Sequence, residues 1–239
     1  MNKFDEELIK KYVPHNQIDK ALQKLSKGYP VQYIIGNVEF YGNLINVNEK
    51  VLIPRFETEY LVQDLLKYIK EYDFKNPKIL DIGTGSGCIA IALKKNVDSN
   101  VDALDISADA LEVAKENAIF NNVNINFINQ DIHEFKPDYK YDIIVSNPPY
   151  VSKDVMVDEK TKYEPQNAIF AGDNGLYFYK VILANSIHYL SKKNIIAFET
   201  GHNHALAITK ICKDYYPNAK IITKSDLNGY DRYIYIIND

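Results

Sequence analysis

Residues 78–95 read KILDIGTGSGCIAIALKK, and this stretch decides the fold. An apolar run of strand length, 78–82, runs into the glycine loop Asp81-Ile82-Gly83-Thr84-Gly85-Ser86-Gly87, and a helical pattern follows at once. Glycine lets the backbone turn sharply and approach a ligand closely, while N–H groups at a helix start offer it hydrogen bonds. A second strand candidate, VDALD at 101–105, ends in Asp105, 18 residues past Gly87. A carboxylate at that place accepts hydrogen bonds from ribose hydroxyls, so a nucleotide-bearing cofactor is expected. Loop and acid suit both a dinucleotide and S-adenosyl-L-methionine; the G-x-G-x-G spacing, against G-x-G-x-x-G, tilts the reading to the latter. After a third run, INFIN at 125–129, Asp131-Ile132 would set an acid and an apolar side chain against an adenine edge. A helix cap accounts for Asp131 equally well.

Outward from this unit the alternation continues. YDIIVS (141–146), NIIAFE (194–199), AKIIT (219–223) and RYIYII (232–237) read as strands, with helical patterns at 86–95, 107–120, 175–190 and 203–215. Such a sequence builds an α/β fold, a largely parallel sheet covered by helices on both faces. The segment SDLNGYD between the last two strands is too short for a crossover helix, so those strands pair antiparallel. Upstream, Glu57–Tyr72 has the spacing of an amphipathic helix, and 38–53, VEFYGNLINVNEKVLI, reads as a β-hairpin ended by Pro54. Residues 3–27 form two short helical segments broken at Pro14-His15-Asn16, too small for a core alone and expected to dock elsewhere. Three regions result: a helical region 1–27, a linker with hairpin 28–56, and a main domain 57–239.

With 239 residues, 46% of them hydrophobic, the chain can bury a sizeable core. A net charge of −4 argues against a dedicated nucleic-acid binder, whose footprint is basic. Cys88 and Cys212 lie far apart and offer no disulfide framework, and the start MNKFDEELIKKY lacks the apolar stretch of a secretory signal. No run approaches the roughly 18 apolar residues of a membrane span. A cytoplasmic monomer, away from membranes, is expected.

The residues that choose the chemistry are Asn147-Pro148-Pro149-Tyr150, directly after the 141–146 strand. Ligands of open α/β sheets bind outside the carboxyl ends of the strands, which is where this tetrapeptide falls. Two prolines fix the backbone and remove two N–H donors, leaving carbonyl acceptors, the Asn147 amide oxygen and the Tyr150 ring. A rigid acceptor corner suits a planar substrate with an NH₂ group: one N–H to the Asn147 side chain, the other to the Pro148 carbonyl, with Tyr150 flat against it. An amide nitrogen is a poor nucleophile, so holding both hydrogens and excluding water would aim it for in-line displacement. The bland alternative, an ordinary turn leaving a strand, is disfavoured by the glycine loop upstream.

From about residue 28 onward the chain resembles the release-factor glutamine N5-methyltransferase family, Rossmann-like class I methyltransferases. The resemblance rests on PVQYIIGNVEFYG, VLIPRFETE, DIGTGSGCIAIAL, IVSNPPYV, YEPQNAIFAGDNGLYFY and DLNGYDRYIYI, in that order. It implies a seven-stranded, mostly parallel sheet with an antiparallel last strand. It also implies that Gly83, Thr84, Gly85, Ser86, Gly87 and Asp105 bind S-adenosyl-L-methionine and that Ile132 lies by the adenine; Asp131 and Asn147 complete the expected cofactor set. Asn147, Pro148, Pro149 and Tyr150 would then hold the glutamine of the Gly-Gly-Gln segment of peptide chain release factors, with Asn147, Pro148 and Tyr150 as the catalytic group. About 27 residues precede the shared region, fewer than is usual in the family, so the N-terminus is expected to contribute less to docking. Where the family has proline after the arginine, Phe56 follows Arg55; the expectation is that it fills the contact between hairpin and main domain rather than covering the cofactor.

Other signals weigh less. His202-Asn203-His204 lacks the spacing of a metal pair and reads as an exposed helix start, and Cys88 as a small packing residue. An adenine-N6 DNA methyltransferase would use the same acceptor corner, but it needs basic grooves for a flipped base, and the acidic balance speaks against DNA as partner. A non-catalytic nucleotide-binding protein would have no use for the Asn147 corner.

Overall fold

The protein is described here from a computed structural model covering residues 2–239. Helix α1 (Lys3–Tyr12) begins where the Asn2 side chain accepts the Phe4 N–H, with acids in its first turn and lysines in its last. Helix α2 (Ile18–Ser26) follows, then a short α3 (Val31–Ile35), five residues that show no periodicity in sequence. α3 completes a small cluster of Ile9, Ala21, Leu25 and Val31, while its Tyr33 packs in the larger cluster beneath the hairpin. Strands β1 (Asn37–Phe40) and β2 (Asn43–Asn46) pair antiparallel across Tyr41-Gly42, both at positive φ, the twist that a two-residue hairpin needs. The hairpin is shorter than the expected 38–53, because the Asn48 side chain accepts the Lys50 N–H and turns the chain out of the ladder.

Helix α4 (Phe56–Glu71) leads into the alternating region: β3 (Lys78–Ile82), α5 (Cys88–Asn96), β4 (Asn100–Asp105), α6 (Ala108–Phe120), β5 (Asn126–Asn129) and β6 (Tyr141–Ser146). Two-residue strands β7 (Val151–Ser152) and β8 (Phe170–Ala171) come next, then α7 (Tyr177–Ser186), β9 (Leu190–Glu199), α8 (Ala205–Tyr215), β10 (Lys220–Ser225) and β11 (Asp231–Asn238). Seven strands form one sheet in the order β10-β11-β9-β6-β3-β4-β5. β3, β4, β5, β6 and β9 are parallel, and the last strand, β11, is antiparallel to both neighbours, β9 and β10. The antiparallel pairing follows from the short turn; the insertion of β11 inside β10 depends on contacts no local pattern records. α7 stops at Ser186, short of the expected 190, where that hydroxyl bonds back to the Leu183 carbonyl and a turn delivers the chain to β9.

Side chains alternate between the two faces of the sheet. Ile79, Ile143, Val145, Ile195 and Ala197 face the core beneath the hairpin, α4, α5 and α6, while Leu80, Ile144, Ile196 and Phe198 face α7 and α8. The hairpin is stitched to the main body by the fully buried Asn117 of α6. Its Oδ1 accepts the Asn46 N–H at 2.8 Å, and its Nδ2 donates to the carbonyls of Asn46 at 2.9 Å and Ser86 at 3.0 Å. From β3 the chain runs one way to β4 and β5 and the other way to β6 and β9, which opens a crevice outside the carboxyl ends of β3 and β6. The glycine loop and the Asn147 corner both lie there.

Candidate active site

The loop after β3 is held by β4: Gly83 and Thr84 donate their N–H groups to the Leu104 carbonyl at 2.8 and 3.1 Å. Gly83, Gly85 and Gly87 all have positive φ, but they do different work. A side chain at Gly83 or Gly85 would meet nothing within 4 Å, so their backbone borders open space. One at Gly87 would lie 3.2 Å from Ala114 Cβ, so that glycine lets α5 pack against α6. The Thr84 and Ser86 side chains are buried; Thr84 Oγ1 donates to Asp81 Oδ2 at 2.6 Å. The other oxygen of Asp81 is buried without a hydrogen-bond partner, and burial pushes this carboxyl up to about 7.

Asp105 ends β4 half-buried. Its Oδ2 accepts the Gly85 N–H and its Oδ1 the Ser107 N–H, each at 2.9 Å. Burial raises its pKa and the backbone donors oppose the shift; each oxygen keeps acceptor capacity for a ribose. Asp131 accepts the His133 N–H at 2.9 Å, an Asx turn rather than the cap of a helix, and this donor holds its pKa low. Ile132 is 8% exposed and packs with Leu80, Ile82 and Leu104, whereas Ile106, next to Asp105, is 62% exposed.

At the Asn147 corner a chain of hydrogen bonds arrives from two distant elements. Thr58 of α4 donates its Oγ1 hydrogen to Glu199 Oε2 at 2.6 Å, and Asn147 Nδ2 donates to Thr58 Oγ1 at 3.2 Å. Glu199, at the end of β9, is buried, and burial pushes its carboxyl up to about 7 against the pull of Thr58 and Arg232. With Nδ2 tied to Thr58, Asn147 presents its amide oxygen as an acceptor. Pro148 is buried, while Pro149 and Tyr150 are half-buried. Burial pushes the Tyr150 hydroxyl up to about 12, so it is a neutral phenol at neutral pH. Arg232, clamped by Asp226 at 2.9 Å, and Glu199 act on it in opposite directions.

The stretch YEPQNAIFAGDNGLYFY returns beside this corner. Glu164, 4% exposed, accepts the Ile53 N–H at 3.1 Å and the Arg55 guanidinium at 2.6 Å, tying the end of the hairpin region to the loop after the corner. β7 and β8 then pair in parallel, with Val151 N–H donating to the Ile169 carbonyl. Thr58 and Glu199 were not singled out in the sequence, because they meet across 141 residues and no spacing reports it; Glu164 and Arg232 lie in the shared stretches YEPQNAIFAGDNGLYFY and DLNGYDRYIYI, but spacing gave them no role. Phe56 corrects the expectation set for it: at 60% exposed it fills no contact between hairpin and domain, and meets Tyr60 edge-on at 5.5 Å. His204 is not an exposed helix start either; it is half-buried, with its Nδ1 inaccessible. Cys88 is buried, as expected, which pushes its thiol up to about 12.

A nucleotide-type site at the β3–β6 switch, an acceptor corner after β6 and this strand order define a methyltransferase; residues 57–164 match the Methyltransferase small domain family. Within that class the chain belongs to the release factor glutamine methyltransferase family. It is 37% identical over 226 residues to the release factor glutamine methyltransferase of Staphylococcus aureus, covering 91% of this chain and 79% of that protein. Identity to the Fusobacterium nucleatum protein of the same name is 42% over 217 residues, 88% of this chain but 60% of that longer relative. Among solved structures, the protein-(glutamine-N5) methyltransferase (release factor-specific) of Alicyclobacillus acidocaldarius superposes with a TM-score of 0.51 at 26% identity, over 81% of this chain and 99% of that one. A Thermus thermophilus 16S rRNA N2 G1207 methyltransferase, solved with AdoMet and guanosine, shares the fold: TM-score 0.63, 11% identity, 85% of this chain and 50% of that one.

Proposed function

We propose that this chain methylates the side-chain amide nitrogen (N5) of the glutamine in the Gly-Gly-Gln segment of peptide chain release factors, using S-adenosyl-L-methionine. The observation that carries the reading is the Glu199–Thr58–Asn147 chain, which turns the Asn147 amide so that its oxygen accepts. Side chains that merely end a strand need no such buried relay.

The residues present fit the cofactor. Open space at Gly83 and Gly85, the free acceptor capacity of Asp105 and the unpartnered oxygen of Asp81 suit a group with ribose hydroxyls and an ammonium. Gly83, Thr84, Gly85, Ser86, Gly87, Asp105, Asp131, Ile132 and Asn147 are the residues assigned to hold it, with Gly87 acting through packing of α5 on α6. When bound, S-adenosyl-L-methionine supplies a methyl on a sulfonium, an electrophile that needs no enzyme nucleophile. Asn147 Oδ1 and the Pro148 carbonyl each take one hydrogen of the target NH₂, which fixes the plane of the amide and points its nitrogen. Pro149 keeps the corner rigid and free of competing donors. The Tyr150 ring packs on the flat face and excludes water.

Protein substrate and the buried, unpaired cysteines agree with a cytoplasmic setting. The test is mass spectrometry of purified release factor after incubation with this protein and S-adenosyl-L-methionine. One added methyl on the Gly-Gly-Gln peptide is expected; methylation of duplex DNA at a comparable rate would sink the reading.

A further inference from the structure

The Tyr150 ring can set the position of an amide only if the ring itself is held. Its main chain leads into β7, backed by β8, and β8 runs straight into the turn Gly172–Gly175. In that turn Asp173, Asn174 and Gly175 stand in succession at φ of 55°, 50° and 87°. The turn closes on itself through Gly175 N–H to the Gly172 carbonyl and Leu176 N–H to the Asp173 carbonyl, each at 3.0 Å, with Lys180 paired to Asp173 at 2.6 Å, and a second element braces the strained residues from outside. The brace comes from α8. His204 lies at the helix N-terminus, and its Nε2 is 2.9 Å from the Asn174 carbonyl oxygen. A carbonyl only accepts, so Nε2 carries the hydrogen.

Two glycines then show how tightly the imidazole is fitted. A side-chain carbon at Gly175 would stand 2.2 Å from the Tyr150 carbonyl oxygen and 2.9 Å from His204 Nε2. One at Gly201 would stand 2.5 Å from His204 Nδ1 and 3.1 Å from Tyr150 Cδ2. The imidazole is therefore wedged between Gly175 and Gly201, and these same glycines touch Tyr150 at its carbonyl and at its ring. His204 Nδ1 is buried without a hydrogen-bond partner, so the ring is held there by shape and by the single bond to Asn174.

We infer that His204 is a positioning residue for the reaction: by bracing the 173–175 turn and filling the space between Gly175 and Gly201, it fixes the height and tilt of the Tyr150 ring over the Asn147 corner. The inference rests on the reading of Tyr150 as the residue that packs on the target amide. It gives a purpose to the GDNG and GHNH segments, which carry no chemistry of their own.

The test compares His204→Gln with His204→Leu in the full chain. A glutamine amide can replace the Nε2–H donor to Asn174; leucine fills similar volume without a donor. His204→Leu should lower kcat for release factor by roughly tenfold to a hundredfold, the scale of a small misplacement of reacting groups, while its affinity for S-adenosyl-L-methionine by calorimetry stays within about twofold of wild type. His204→Gln should restore most of the rate. Independently of turnover, fluorine NMR of protein carrying fluorotyrosine, with the Tyr150 signal assigned through Tyr150→Phe, should show that signal shifted or broadened in His204→Leu and near wild type in His204→Gln. If the wild type fails to methylate release factor, the functional reading falls, and the fluorine spectra still decide the brace. An unchanged Tyr150 signal in a folded His204→Leu protein overturns the inference, as does a rate loss that follows cofactor affinity alone.

Discussion

The glycine loop and the Asn147 corner flank the same crevice but are built in different ways. The loop is assembled from neighbours in sequence and in the sheet: Gly83 to Gly87 turn directly off β3, and the adjacent strand β4 supplies Leu104 and Asp105 to hold them. The corner is a rigid tetrapeptide whose side chains take their orientation from α4, β9, the 172–175 turn and the start of α8. Local construction makes a motif readable from spacing; long-range construction does not. The two regions also share a feature: each holds a carboxyl that burial pushes up to about 7, Asp81 and Glu199.

That shared feature yields the largest expected effect. In the unfolded chain Asp81 and Glu199 titrate near their ordinary 3.8 and 4.5, and in the folded protein near 7. A raised folded pKa favours the neutral form, so the contribution is full below about 4 and is lost as pH rises through about 7. Each group can cost on the order of 4 kcal/mol once ionised at high pH. Urea unfolding of the ligand-free protein should therefore show stability falling between about pH 4 and pH 7, with Asp81→Asn and Glu199→Gln each flattening the slope. A slope unaffected by either substitution would break the likeness between the two regions.

Next in size, Asn147→Ala should cost on the order of 10²-fold or more in turnover, since it removes the acceptor that points the nitrogen. Cofactor affinity should hold nearly constant, because the loop and Asp105 are untouched. Equal losses in turnover and in cofactor affinity would mean that the two regions are not separable. Asp105→Ala is the mirror experiment. It should weaken S-adenosyl-L-methionine binding by about 1.5–3 kcal/mol, the range for hydrogen bonds to a charged group, with a smaller change in kcat at saturating cofactor. Calorimetry showing wild-type affinity would remove Asp105 from the site.

The sheet was legible in sequence to within a few residues at each strand, because β3, β4, β6 and β9 are largely buried and carry short apolar stretches that acids such as Asp81, Asp102 and Asp142 interrupt without ending. The motifs Gly83–Gly87 and Asn147–Tyr150 were legible because glycine and proline act on the backbone locally. The supports of the corner were not. Thr58 reads as one polar residue on a helix, Glu199 as a strand end and His204 as a helix start; only the folded chain brings them together. α3 was missed for a simpler reason, being too short to display a period.

The smallest effect is expected at the N-terminal helices. Their core of Ile9, Ala21, Leu25 and Val31 is separate from the two clusters that sandwich the sheet, so the main body does not need them for its packing. Contact with the loop after the corner is thin: Lys160 reaches the buried Asp5 at 3.4 Å, and the Tyr163 hydroxyl, beyond the helices, donates to the Lys27 carbonyl at 3.0 Å. That loop carries Val155, Met156 and Val157, all exposed. A corner that recognises the tip of one side chain needs remote contacts to select a protein, and the helices and the hairpin offer surface for them. Removing residues 1–26 should leave cofactor affinity within about twofold and raise KM for release factor by roughly threefold to tenfold, at most about 1.4 kcal/mol. The hairpin, stitched to α6 through Asn117, remains in place and limits the loss. Steady-state kinetics on intact release factor and on a short Gly-Gly-Gln peptide separate the contributions: truncation should narrow the gap between the two substrates without closing it. A truncated protein that loses cofactor binding would show the helices to be part of the main fold, and one with an unchanged KM would leave docking to the hairpin and the loops around the corner.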